Sequence, residues 1–570
     1  MPLINEVENN TSIPPFLFYP LVHYFCLLYD FGMKTTIQLE KNANNTKCSI
    51  NASDYFIEVL ENLNVDTIFG YPGASVVPLY NSLSKSKKIK HILCRHEQGA
   101  VHASEGYSRV KNKCGVVFTT SGPGFTNTLT GIHNAYFDKT PVVVITGMAE
   151  EIGHNNFQEV DILSVSKSCS KAAYIIDNTE DINKVLKLAF YNANKAPKGP
   201  VVVGVKKSVL ESVVFDKKEF RLPHEIKVEA PHSCILKSLE MLKNAKRPLI
   251  IAGGGCKDAQ NELKEFISLT HIPVVNTFMG KGIVDDLSFG LIGLNGDIDL
   301  NETIEHADIV LALGTRFSSR LINSKNNFLK NAKIININLE HNNSQNVLPE
   351  REIIGEMDIV LQHMIGVIKS KDMLFDIHYQ WIEDLSKSDE YYEQNEFSSD
   401  YVMNEIQKYV KKYSPIITTD VGNHQICAMK YFKTESAKKF LTSGGFGTMG
   451  YGLPASIGAQ IAKPNSLVMN ITSDGSFQMN MQELGTCAEY DLPIKMIVIN
   501  NSALGMIKNL QNQIYNKDFQ SSMLNPDFVQ IANSYGIRAY SITKKEDLHI
   551  ALKDMFKYKK AVLLDIHVKM

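Results

Sequence analysis

The first chemical signal lies near the C-terminal end. Asp474 stands in "TSDGSF", and the amide pair Asn500 and Asn501 stands in "IVINNSALGM". Asp474 follows the apolar run "SLVMNIT" and the amides follow "IKMIVIN", so all three sit at the carboxyl end of a buried strand. That edge is where open α/β sheets bind ligands. Gly475 and Ser476 open the helix that comes next, and the outward backbone N–H groups of a helix start favour a phosphate. A hard carboxylate, an amide oxygen and phosphate oxygens together suit an octahedral Mg²⁺. These residue types and places point to a Mg²⁺–diphosphate site. The bland alternative is a helix cap at Asp474 and a turn at Asn500–Asn501.

A second carboxylate, Glu97, opens the helix "RHEQGAVHASEGYSR" after the strand "KIKHILC". A glutamate there complements the helix dipole and needs no other role. In an apolar pocket, with its pKa raised, it can instead act on a proton.

The elements that must position these groups recur along the chain. "DTIFGYPG", "KIKHILCR", "KCGVVFTTSGPG", "TPVVVITG" and "GPVVVGV" are short apolar strands ending in turn residues, with the amphipathic helix "NASDYFIEVLENLNV" before them. The pattern restarts with "RPLIIAGGG", "HIPVVNTF", "ADIVLALGTRF" and "AKIININLE". It restarts again with "SPIITTDVGNH", "SLVMNITSDG", "IKMIVINN" and "KAVLLDIHV". Alternating helix and strand predicts an α/β chain of three doubly wound parallel-sheet domains in series. They are expected over 48–215, 230–370 and 398–570, in a chain of 570 residues that is too long for one core.

Residues 1–47 differ from the rest and are expected to form a disordered extension. Their apolar stretch "FLFYPLVHYFCLL" is too short to span a bilayer, and Pro20 and His23 interrupt it. No basic segment precedes it, so it makes a poor signal peptide. Met33 is a candidate start of translation. A net charge of −2 offers no basic field for nucleic acid or a membrane surface. None of the nine cysteines forms a CxxC pair, which is the usage of reduced thiols in the cytoplasm.

"SDG" followed by "NN" resembles the signature of thiamine-diphosphate enzymes, with Ser473 where that family has its first glycine. The resemblance implies that Asp474 and Asn501 ligate Mg²⁺, with the backbone carbonyl of Ala503 as a third ligand. "TSGGFGTMGYGLPASIGA" is similar to the family segment that carries Gly447 and the bulky Met449, which bends the cofactor. "DVGNHQ" matches the segment that closes over the diphosphate, with Gly422, His424 and Gln425. "RHEQGA" is the family's glutamate motif, so Glu97 would bond the aminopyrimidine N1′. In this family the domains bearing Glu97 and Asp474 come from two subunits, which implies a homodimer or a dimer of dimers.

"FGYPGASVVPLY", "TSGPGFTNTLTGIHNAYFD", "NNFQEVDI", "GTRFSSR" and "QELGTCAEYDLPIKMIVINNSALGMIK" resemble the acetolactate synthase large-subunit family over roughly Ser53 to Val568. The implied reaction decarboxylates pyruvate and transfers the hydroxyethyl unit to a second 2-oxo acid. By the same resemblance Gly73 and Met506 line the cofactor. Phe157 and Gln158 sit beside the reacting carbons, Lys207 stands at the substrate channel, and Arg320 holds the acceptor's carboxylate. Arg320 reads equally as a surface arginine at a helix start. A small regulatory subunit is a partner the resemblance allows.

The departures from the family are specific. Ala74 replaces the second glycine of "YPGG", and Leu510 stands where a tryptophan is usual. The flavin pocket keeps Gly253, Gly254, Gly255, Met279, Arg316 and Arg320. It lacks an arginine at Pro197 and carboxylates at Ser318, Asn338 and Asn343. FAD, structural in this family, is therefore expected to be held weakly or not at all. The alternatives that stay open are a related thiamine carboligase with another acceptor, such as a keto-sugar, a 2-oxo acid decarboxylase, and a non-catalytic binding subunit. Retention of Glu97, Asp474 and Asn501 together argues against the last.

Overall fold

The computed structural model describes residues 49–222, 230–322, 328–342, 344, 347–386 and 396–569. The N-terminal extension, with Met33, and Asn343 lie outside the described residues. The rest contains three six-stranded sheets in series, and every pairing within them is parallel.

The first sheet runs Lys90–Leu93, Thr67–Gly70, Gly115–Thr119, Val142–Met148, Pro200–Lys206, Ala172–Ile176 in space. The third runs Phe440–Thr442, Ile416–Thr419, Val468–Ser473, Lys495–Asn500, Val562–His567, Arg538–Ile542. Numbered from 1 within each sheet, both have the order 2-1-3-4-6-5. The central sheet is different: Ser288–Leu291, Val274–Asn276, Pro248–Ala252, Ile309–Leu313, Lys333–Asn338, Arg351–Ile354, or 3-2-1-4-5-6. Central strands such as Val142–Met148 and Ile309–Leu313 are buried along their whole length. Helices cover both faces of such a sheet, so continuous apolar runs replace alternation. The first helix, Ala52–Asn62, is capped by Asn51, whose Oδ1 accepts from Ser53 N at 2.9 Å.

Each sheet has a crevice where its strand order reverses, beside its first strand. In the first sheet the crevice joins the segment after Gly70 to the segment after Thr119. In the third it joins the segment after Thr419 to that after Ser473, and in the central sheet that after Ala252 to that after Leu313. The motif-bearing turns thus converge because the chain reverses direction there.

First and third domains meet through two helices, Glu97–Lys111 and Gly452–Ala462, whose backbones touch. A Cβ on Gly106 would lie 2.1 Å from Ala455 O, and one on Gly458 1.7 Å from Ala103 O. No side chain fits at either place. Gly458→Ala is therefore expected to destabilise the fold by at least about 1–3 kcal/mol through overpacking. Gly366, exposed in the Met357–Ser370 helix with open space around it, is the control, and Gly366→Ala should gain roughly 0.5–1 kcal/mol. Thermal melts check both; a harmless Gly458→Ala would mean that the two helices do not touch.

Candidate functional site

At the third sheet's crevice, Asp474 is fully buried. Its Oδ2 accepts from Asn525 Nδ2 at 2.8 Å, while Oδ1 has no hydrogen-bond partner among the described residues. Burial pushes this carboxyl up; Asn525 and the nearby backbone N–H groups of Gly475 and Ala503 act against that. Asn525 also donates to Asn500 Oδ1 (3.0 Å), so one amide ties the ends of the two strands together. Asn501 Oδ1 accepts from Ala503 N at 3.2 Å, which folds Asn501 and Ala503 into one tight loop beside Asp474. Asn525 carried no sequence signal.

The segment after Thr419 closes the other side. Gly422 has φ 146°, which glycine alone adopts readily. Ser476 Oγ donates to Val421 O at 3.1 Å. His424 is buried, with its pKa pushed down to about 3, and its Nε2 has no partner among the described residues. Gln425 Nε2 donates to Thr442 Oγ1 (2.6 Å), and its Oε1 is likewise unpartnered. Met449 comes close as well: its Cε is 3.6 Å from where a Cβ on Gly475 would stand. Gly447, with φ 77°, has open space beside it. Unpartnered buried atoms on Asp474, His424 and Gln425 are costly unless something polar meets them. The site fits a diphosphate with a hard cation. Among the described residues no three His, Cys, Asp or Glu side chains converge as metal ligands. A cation here would therefore be held by one carboxylate with amide and carbonyl oxygens.

The helix expected after Asp474 begins at Asp474 itself but is broken. It runs as Asp474–Phe477, a 3₁₀ turn at Met481–Glu483, and Leu484–Glu489. Asn480 leaves the helical path and donates to Gly450 O at 2.8 Å.

In the first domain, Glu97 is the first residue of its helix and is buried. Asn127 Nδ2 donates to its Oε2 at 2.9 Å. At the same crevice, Ser75 Oγ lies 2.9 Å from Thr120 Oγ1 and accepts from Ser121 N. Gly73 packs so tightly on Thr120 that a Cβ would meet it at 2.4 Å. Gln158, at φ 59°, accepts from Ser121 Oγ at 3.0 Å. Its neighbour Phe157 is 88% exposed in the single chain. The structure thus gathers Glu97, Gly73 and Gln158 around one crevice, and Asp474, Asn501, Ala503, Met449, Gly422, His424 and Gln425 around another.

A buried polar seam joins the domains. Asn134 donates to both oxygens of Glu105 (3.1 and 2.9 Å) and accepts from Ser443 Oγ (2.5 Å) and Thr448 Oγ1 (3.0 Å). Asp138 accepts from Gly444 N and Gly445 N. Arg109 donates to Thr442 O and to the Tyr451 hydroxyl. The loop that carries Gly447 and Met449 is thereby fixed from the first domain.

Arg320 is placed apart from both crevices. It lines a cavity of about 820 Å³ that opens at the central sheet's crevice and is walled by all three domains. Its Nη1 donates to Gly444 O (2.7 Å), and its guanidinium stacks on Phe278 at 4.4 Å. Burial lowers its pKa. Gly255 packs against Gly314, with no room for a side chain on either. The cavity wall also carries Lys198, Lys257, Arg316, Asn338 and Glu340. Lys198 and Lys257 flank the cavity near Pro197, the position without the expected arginine. Asn338 is committed to Thr315 O at 2.9 Å. Lys207 is on the surface, 3.4 Å from Glu211. Met506 and Leu510 lie on the Gly505–Tyr515 helix, which buries no side chain.

Three family models match the chain. Residues 50–165 match the N-terminal TPP binding domain of thiamine pyrophosphate enzymes, 235–364 their central domain, and 420–566 their C-terminal TPP binding domain. The chain is 36% identical over 538 residues to an acetolactate synthase large subunit of Cyanidium caldarium, covering 89% of this chain and 92% of that one. A probable acetolactate synthase large subunit of Methanococcus aeolicus is 35% identical, over 91% of this chain and 92% of its own. Acetolactate synthase 2, chloroplastic, of Nicotiana tabacum is 33% identical, over 90% and 82%.

The cavity's electrostatics can be tested directly. Lys257 reaches Asp138 O at a long 3.4 Å, and burial brings its pKa down to about 8. Between there and its ordinary 10.5, the folded chain binds fewer protons than the unfolded one. The penalty for burying this ammonium is therefore relieved as pH rises through that window. Melting midpoints across the window should show the wild type gaining on Lys257→Met with rising pH. A constant difference would contradict this placement.

Proposed function

We propose, since the chain belongs to the acetolactate synthase large-subunit family of thiamine pyrophosphate enzymes, that it is a carboligase acting on 2-oxo acids. The C1–C2 bond of pyruvate breaks, CO₂ leaves, and the remaining two-carbon unit joins the carbonyl carbon of a second 2-oxo acid. The observation that carries the proposal is the unpartnered, buried Oδ1 of Asp474 at the third sheet's crevice. It needs a cation, and that cation needs the diphosphate for which His424 and Gln425 keep free polar atoms.

Thiamine diphosphate, when bound, supplies the electron sink that decarboxylation requires. Asp474, Asn501 and the Ala503 carbonyl hold Mg²⁺. Gly73, Gly422, His424, Gln425, Gly447, Met449, Gly475, Ser476 and Met506 shape the cofactor's bed. Glu97 holds a proton at the aminopyrimidine N1′, oriented by Asn127. Gln158 and Phe157 flank the reacting carbons, and Arg320, which from the central cavity reaches the Met449-bearing loop through Gly444 O, takes the acceptor's carboxylate once it lets go of that bond. Leu510 offers an acceptor's side chain less surface than a flat ring, so pyruvate condenses with itself.

The chain acts as at least a homodimer. Phe157 at 88% exposed, and the Gly505–Tyr515 helix with Ile507, Leu510, Ile514 and Tyr515 uncovered, are apolar surfaces next to the site residues and suit a second copy. The name "large subunit" borne by relatives implies a smaller companion for them, and a regulatory partner for this chain is part of the proposal. No helix among the described residues is long and apolar enough to cross a membrane. The seven described cysteines are free thiols, the usage of a reducing compartment such as the cytoplasm.

The central cavity has room and positive charge for FAD, in a sheet whose order 3-2-1-4-5-6 is that of dinucleotide binders. Ser318 and Asn338 cannot accept from its hydroxyls as carboxylates would. FAD is therefore held reversibly. The expected result is a colourless protein after gel filtration that quenches flavin fluorescence when FAD is added back. A yellow, stoichiometric complex after gel filtration refutes weak binding, and no quenching refutes binding.

Incubation with pyruvate, thiamine diphosphate and Mg²⁺ should yield acetolactate and CO₂. Glu97→Gln should fold and bind the cofactor yet turn over about two to four orders of magnitude more slowly. Identification of a different ligation product, or near-normal turnover by the variant, would overturn the reaction or the role of Glu97 respectively.

A further inference from the structure

The N-terminus of the Glu97 helix is held by a carboxylate from another domain. Glu483, in the Met481–Glu483 turn of the third domain, is fully buried. Its Oε1 accepts from Arg95 N at 2.9 Å and from His96 N at 3.1 Å. Its Oε2 accepts from Thr486 Oγ1 at 2.7 Å. Glu97 is the next residue after His96. A Cβ on Gly99, in the same first turn, would stand 2.5 Å from Glu483 Oε1, so glycine there keeps the space the carboxylate occupies. His96 Nδ1 completes the cap by accepting from Gln98 N at 3.1 Å.

We infer that Glu483 is a positioning residue for Glu97: by accepting from the two backbone N–H groups before it, Glu483 sets where the first helical turn stands and hence where the Glu97 carboxyl points. The inference rests on the reading of Glu97 as the group that bonds the aminopyrimidine N1′. The side chain of Glu97 is held from the opposite quarter by Asn127, within the first domain. Glu483 supplies the part the first domain lacks, an acceptor for the N–H groups that precede its own helix. The role requires an acceptor in that place rather than a charge. Burial already pushes the Glu483 carboxyl upward, and Thr486, Arg95 N and His96 N work against that. An amide oxygen can take over both backbone bonds.

Three variants test this. Glu483→Ala leaves Arg95 N and His96 N without their acceptor and frees the turn to shift. A displacement near 1 Å costs roughly 100-fold in rate, so exchange of the C2 proton of added thiamine diphosphate for deuterium should slow by about 10–100-fold. The affinity for thiamine diphosphate by calorimetry should stay within about threefold, because the Asp474 crevice is untouched. Glu483→Gln should restore both rate and cap. Gly99→Ala should reproduce the slow exchange with Glu483 in place, and it serves if Glu483→Ala fails to fold. In the cofactor-free protein, the Arg95 and His96 amides should lose protection from hydrogen exchange in Glu483→Ala and keep it in Glu483→Gln.

Wild-type C2 exchange in a folded Glu483→Ala or in Gly99→Ala would overturn the inference. So would a Glu483→Gln protein as slow as Glu483→Ala, since charge would then be the agent. The amide measurement needs no cofactor and the C2 measurement needs no 2-oxo acid. A wild type that fails to bind thiamine diphosphate therefore sinks the proposed function, while the Glu483 contact is still judged on the amides.

Discussion

Everything the two crevices can do depends on a place where two helices touch without side chains between them. Gly106 meets Ala455 and Gly458 meets Ala103 at distances that exclude even a methyl group. Backbone contact of this kind fixes the separation and the rotation of the pair, because the close-packed surroundings cannot take up a shift. Once the pair is locked, polar groups can be spent on fine adjustment. Asn134 and Asp138 reach the Ser443–Gly450 loop, and Glu483 reaches the start of the Glu97 helix. These bonds run in both directions. The first domain holds the loop that bears Met449, and the third holds the turn that bears Glu97.

The three sheets solve one problem with two topologies. The first and third share an order, and each offers a crevice beside its opening strand. The central sheet reaches the same outcome with the order of dinucleotide binders and places its glycines where Gly255 and Gly314 must touch. In all three, residues far apart in sequence meet because the chain goes out on one side of its first strand and returns on the other. Val421 and Ser476 become neighbours in this way, as do Gly73 and Thr120.

This geometry explains what could be read from the sequence. Strands in sheet interiors carry apolar runs and were legible, as were the motifs at their carboxyl ends. The strands that were not legible, Ala172–Ile176, Ser288–Leu291, Arg351–Ile354, Phe440–Thr442 and Arg538–Ile542, all lie at sheet edges. Four of them are only partly buried along most of their length, and Phe440–Thr442 is three residues long. An edge strand has one neighbour and needs no continuous apolar run. The helix expected after Asp474 does start there, but Asn480 answers to Gly450 O and the helix breaks. Glu97 and Asp474 announce themselves by position. Asn525, Asn134 and Glu483 do not, since their partners lie in other segments or domains and no local pattern encodes them.

The contact between the two helices also sets a timetable. The Glu97–Lys111 helix buries twelve of its fifteen residues, and much of that cover is the Gly452–Ala462 helix, which follows it by roughly 340 residues in the chain. Synthesis at about 5–20 residues per second leaves the first helix without its mate for on the order of half a minute. Throughout that interval the nascent first domain presents a stripe of small residues, Gly99, Ala103 and Gly106, that any passing helix with a flat face could occupy. A ribosome-bound chain of this kind has reason to keep its early half shielded until its late half arrives.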